Sequence, residues 1–159
     1  MCVADIASRD IGDLLRYYGL SFSLLADGEP IAGSFWGEPE AGIIGKELLS
    51  RRDTPIHSVL HELCHIICMT RQRRRSLVGN AGGDDLEEAA VCYLQIVLAD
   101  CLNGFSRDRL MADMDAWRYS FRLGSARRWF EEDADDARAW LESHGLLLAD
   151  GAAVFRLRD

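Results

Sequence analysis

A chain of 159 residues with 48% hydrophobic and 28% charged residues can bury one core without staples and needs no second domain. No apolar run approaches the ~20 residues of a membrane-spanning helix, which argues against a membrane protein. A net charge of −8 argues against a general nucleic-acid binder, because neutralising phosphates takes a basic face.

Taken in order, residues 5–18 place Ile6, Ile11, Leu14, Leu15 and Tyr18 on one stripe, an amphipathic first helix that Gly19 stops. The segments 21–25, 30–37 and 42–49 are short and separated by turn chemistry at 26–29 and 38–41. They predict a three-stranded antiparallel meander. An exposed edge of such a sheet can hold an extended peptide by main-chain hydrogen bonds, although the sheet could equally serve only to cover the next helix. That helix begins with Thr54 as N-cap and Pro55 at the first helical position, and its apolar run continues through Cys68. Leu60, Leu63, Ile66, Ile67 and Met69 fall nearly all round it, so it is expected to be central and covered.

The basic run Arg71-Gln72-Arg73-Arg74-Arg75 reads as a solvated loop, with a phosphate or acidic-peptide site as the alternative. A loop at 79–83 leads to a helix over 86–102, capped by Asp84 or Asp85. Helical patterns follow at 107–119, 125–130 and 135–143, and a hairpin around Asp150-Gly151 closes the chain. The fold class is therefore α+β: a small antiparallel sheet packed on one central helix, with further helices and a C-terminal hairpin. One domain spans 1–159, in which 20–102 carries the candidate site and 103–159 forms a helical tail. Met1-Cys2-Val3-Ala4-Asp5 has neither the basic nor the apolar region of a secretory leader. The expected location is cytoplasmic, with Cys2, Cys64, Cys68, Cys92 and Cys101 as reduced thiols serving mainly as packing groups.

The central helix carries His61-Glu62-Leu63-Cys64-His65, the pattern H-E-x-x-H. Residues four apart lie one above the other on a helix, so His61 and His65 can offer two imidazole nitrogens to one zinc ion. Glu62 points to one side, where its carboxylate can take a proton from water at the metal and act as general base. A catalytic zinc then lacks one protein ligand, and a carboxylate from the later helix is a known solution. Glu87 and Glu88 are the candidates. Glu87 falls on the core-facing stripe with Leu86, Ala90 and Leu94, where a buried acid needs a cation, so Glu87 is preferred. Glu88 lies with Gln95 on the more polar side and is the alternative. His57 completes a ladder with His61 and His65, but one ion bridging three successive turns is awkward. It is expected to brace the site from behind. Tyr93 and Tyr119 could polarise a carbonyl, and nothing in the sequence singles out either.

With His61-Glu62-Leu63-Cys64-His65 and Leu86-Glu87-Glu88-Ala89-Ala90 in hand, the chain resembles the gluzincin-like zinc metallopeptidases, most closely the small ImmA/IrrE type. The resemblance covers roughly residues 20–102; Cys64 stands where that family usually has Gly. It implies a zincin-like fold, zinc on His61, His65 and Glu87, Glu62 as general base, and a polypeptide substrate such as a regulatory protein. Two other readings compete with a peptidase. In one, a zinc site closed by a fourth ligand such as His57 serves a non-catalytic regulatory or interaction module. In the other, the histidines form a metal-free buried polar network.

Overall fold

Burial on every side fixes the place of the helix α2 (Ile56–Cys68) in the computed structural model, which describes residues 1–35 and 37–159. All thirteen of its residues are buried, the polar His57, Ser58, His61, Glu62 and His65 included. Elements from both ends of the chain supply the cover. Before it come α1 (Ser8–Tyr17) and the strands β1 (Ser21–Leu24), β2 (Gly42–Ile44) and β3 (Glu47–Ser50). After it come the short α3 (Arg71–Arg75), then α4 (Asp85–Ala99), α5 (Arg107–Ala116), α6 (Ala126–Glu132) and α7 (Asp135–Ser143). The architecture is α+β. One apolar cluster runs from Val3 through Leu63, Leu94, Met114 and Trp129 to Leu147, so the helical tail shares the core that surrounds α2. No helix among the described residues is long and apolar enough to cross a membrane.

The sheet corrects the expected meander. Its order is β1-β3-β2, with β1 parallel to β3 and β2 antiparallel to it. The segment expected as the middle strand, 30–37, contributes one isolated bridge, Ser34 to Gly42; Trp36, which falls in it, lies outside the described residues. The reason lies in Arg51, 7% exposed, whose guanidinium pairs with Glu38 and Asp53 and donates to the Glu29 carbonyl. Glu38 in turn accepts from the Ile31 amide. Side chains thus satisfy backbone groups that a ladder would otherwise take. The outer edge of β2 is also engaged, since Ile43 bonds to Gly33 and Gly79 through its amide and carbonyl. That edge is closed to an extended peptide.

Helix ends differ in detail from the sequence expectation. Pro55 occupies the N-cap of α2, and Thr54 Oγ1 instead accepts from the Arg51 amide. The Ile56 amide, which a helix cannot satisfy internally, donates to the Met1 carbonyl. On α4 the expected cap holds: Asp84 accepts from the Glu87 amide. The C-terminal hairpin reduces to a tight turn with one bridge, Leu147 to Ala153. Beyond it the chain returns to α2, where the Arg158 amide donates to the Ile67 carbonyl.

Two glycines make opposite predictions. A Cβ on Gly42 would stand 2.1 Å from the Ala32 carbonyl oxygen and 2.8 Å from the Ser34 amide, both rigid backbone, whereas a Cβ on Gly12 in α1 meets nothing within 4 Å. Gly12→Ala should stabilise the fold by ~0.5–1 kcal/mol through helix propensity. Gly42→Ala should cost ~1–3 kcal/mol, because the 32–34 segment must move off β2. Urea unfolding of both variants checks this; an unchanged Gly42→Ala midpoint would mean that the two backbones are not in contact.

Candidate metal centre

His61 and His65 sit one turn apart on α2 with their Nε2 atoms 3.1 Å from each other. The first turn of α4 brings Glu88 against the pair, Oε1 at 3.4 Å from His61 Nε2 and Oε2 at 3.5 Å from His65 Nε2. Donors held ~2.0–2.2 Å from a tetrahedral ion are separated by about 3.3–3.6 Å, so one small cation fits between all three. Among the described residues this is the one such group of His, Cys, Asp and Glu side chains, and no fourth joins it.

The donor set can be tested against its surroundings. Gln95 is fully buried; its Nε2 donates to the His57 carbonyl at 3.0 Å, which leaves Oε1 to accept from His61 Nδ1 at 3.1 Å. His61 Nε2 therefore carries a lone pair, and that lone pair faces a carboxylate. Burial pushes the His65 pKa down to about 3, with His61 adding to the effect, so this ring is neutral at ordinary pH. Its Nδ1 is buried without a protein partner. Two imidazoles and a carboxyl group converging on one point form a donor set that suits a divalent cation.

Glu62 faces the same place. It is 5% exposed, and burial, reinforced by Glu40 and Glu88, pushes its carboxyl up to about 8. A bound divalent cation would draw it back towards the carboxylate. Glu62 lines a cavity of about 300 Å³ with His61, His65, Glu88, Phe35 and the 80–85 loop. A second cavity of about 570 Å³ opens from His61 and Glu88 towards Glu40, Trp117 and Arg118. A third, about 670 Å³ and mainly apolar, runs from Glu88 past Leu86, Phe121 and Trp129. Glu88 stands where all three meet.

The structure thus brings together His61, Glu62, His65 and Glu88, and does not bring Glu87. Glu87 is buried, as its place on the core stripe requires, but its cations are arginines: Arg73 Nη1 at 2.6 Å on Oε1 and Arg158 Nη1 at 3.1 Å on Oε2. The premise that a buried acid needs a cation holds, and the side chains that meet it come from the basic run and from the C-terminal segment. That run is a helical turn, not a solvated loop: Arg73 also holds the Ala81 and Gly82 carbonyls, and Arg74 is buried. His57 is outside the donor group, with Nδ1 3.3 Å from the Tyr119 hydroxyl and its ring against Trp117. Burial lowers its pKa to about 4. Cys64 and Cys68 are core thiols. Tyr93 packs on Phe130, whereas Tyr119 lies edge-on to His61 at 5.7 Å between ring centres. Gln95 carries no motif, yet its position seven residues after Glu88, on the polar side of an otherwise apolar helix, was the available signal.

Gln95→Leu keeps the volume and removes the hydrogen bond that fixes the His61 tautomer. Metal affinity should fall about 10–100-fold, as for other groups that orient a ligand from behind. Competition against a chromophoric chelator measures it; unchanged affinity would show that Gln95 does not set the tautomer. Comparison with family models, with curated proteins and with solved structures gives no match for this chain, so its geometry alone carries the functional reading.

Proposed function

We propose that the protein is a zinc-dependent peptidase of the H-E-x-x-H type, acting on a polypeptide, with His61, His65 and Glu88 as ligands and Glu62 as general base. The observation that carries this reading is the convergence of three donor side chains, with polar atoms 3.1, 3.4 and 3.5 Å apart, beside a buried carboxyl in one open cavity. Zinc in such a site polarises a carbonyl and brings the pKa of water to about 7. Glu62 accepts the proton from the attacking water at its carboxylate and returns it to the amide nitrogen as the peptide bond breaks, and the new carboxyl gives its own proton to the amine, leaving a carboxylate and an ammonium. Gln95 holds His61 in the coordinating tautomer, and the Arg73–Glu87–Arg158 cluster anchors the start of α4 and with it Glu88.

A closed structural zinc would need a fourth protein ligand. His57 is the nearest candidate on α2, and its Nδ1 is turned to Tyr119. Three donors with adjoining cavities support a site that keeps a position open for water and substrate.

Glu62→Gln should retain zinc and lose hydrolysis by at least ~100-fold, the scale of general-base catalysis. Cleavage of an unfolded protein panel, followed by mass spectrometry beside metal analysis of the same samples, reads both. Retained cleavage with retained zinc would contradict the assigned role of Glu62.

A further inference from the structure

On the opposite side of the basic run from Glu87, a cavity of about 510 Å³ is lined by Lys46, Arg71, Arg74, Arg75 and Arg158, with Asp159 as the sole acid. This concentration of positive charge occurs in a chain of net charge −8. Most basic side chains here are spoken for within the fold. Among the described residues, the side chains of Lys46, Arg52, Arg71, Arg75 and Arg118 have neither an ion pair nor a hydrogen bond, and three of those five line this cavity.

The cavity is also built from ordered parts. Arg74, 7% exposed, forms its floor: Nε donates to the Ile66 carbonyl at 2.9 Å, and Nη2 to the Met69 and Arg158 carbonyls at 2.7 and 2.8 Å. These partners are neutral, so the charge of a nearly buried guanidinium is left without a carboxylate in hydrogen-bond contact, and its remaining nitrogen has no protein partner. Arg71 and Arg75 stand four apart on α3, one above the other on the same side. Lys46 closes the cavity from the β2–β3 turn, where the Gly45 amide is fixed to the Leu77 carbonyl at 3.0 Å.

We propose that this cavity binds a phosphate-bearing small molecule, held by Arg71, Arg75 and Lys46 over the buried Arg74. A phosphate monoester brings about −1.5 to −2 of charge and three acceptor oxygens, which suits several converging cations better than a single carboxylate does. The volume is that of a small-molecule site. A long polyanion such as nucleic acid would meet the repulsion of the acidic remainder of the surface.

Isothermal titration of the zinc-loaded protein with inorganic phosphate and with pyrophosphate, at low salt, tests this. Saturable one-to-one binding is expected, weakened at least tenfold in Arg71→Ala/Arg75→Ala and changed less than twofold in Arg9→Ala/Arg52→Ala, which removes the same charge elsewhere. No saturable binding, an equal loss in both double variants, or binding that survives Arg71→Ala/Arg75→Ala would each overturn the proposal. The last outcome would place the phosphate on the metal centre. Capture of an oligonucleotide or an acidic peptide without phosphate binding would also overturn it.

Discussion

Two imidazoles and two carboxyls, those of His61, His65, Glu62 and Glu88, converge where a helix buried along its whole length meets the start of another. An apolar interior penalises polar groups that lack partners by a few kcal/mol each, so their arrangement constrains everything near them. Gln95 answers for His61 from one side, Tyr119 for His57 from another, and the 80–85 loop with Glu88 shapes the cavity over Glu62. Between His61, His65 and Glu88, two ring nitrogens and two carboxyl oxygens face one another within 3.5 Å. A divalent cation is the simplest chemical answer to this arrangement.

Holding that geometry falls to contacts distant in sequence. The N-terminus ties itself to the entrance of α2 through the Met1 and Val3 backbone, and its amino group pairs with Asp113 of α5 at 3.0 Å. At the other end of α2, Arg74 and Arg158 take the last carbonyls, those of Ile66, Cys68 and Met69, where the helix dipole favours positive charge. Arg158 then reaches Glu87, next to Glu88. The same few arginines therefore close the helix end, fix the start of α4 and leave their neighbours Arg71 and Arg75 facing outward. The basic run thus braces the start of α4 beside the candidate metal site and also lines a cationic cavity.

Much of this was legible in the residues. The all-round apolar pattern of 60–69 announced a covered helix, the H-E-x-x-H spacing paired its histidines, and of the two expected caps, Asp84 and Asp85, Asp84 starts α4. The structure sets Glu88, not Glu87, beside the histidines, because burial shows only that an acid needs a cation, without saying which. Arg73 and Arg158 lie 14 and 71 residues from Glu87, and no periodicity reveals such a contact. The sheet shows the same limit. Turn residues at 26–29 and 38–41 predicted strand reversal, but the buried Arg51 gathers Glu29, Glu38 and Asp53 and turns that stretch into a loop. Local chemistry predicted the elements, and buried charges decided how they meet.

In the proposed site His61, His65 and Glu88 hold one zinc ion while Glu87 serves the fold. Elemental analysis of untagged wild-type protein, Glu88→Ala and Glu87→Ala, each purified and then dialysed against limiting zinc, tests it directly. About one zinc per wild-type chain, lost in Glu88→Ala and retained in folded Glu87→Ala with lowered thermal stability, is the predicted result. Zinc retained by Glu88→Ala, or no zinc on the wild type after adding it back, would contradict the account.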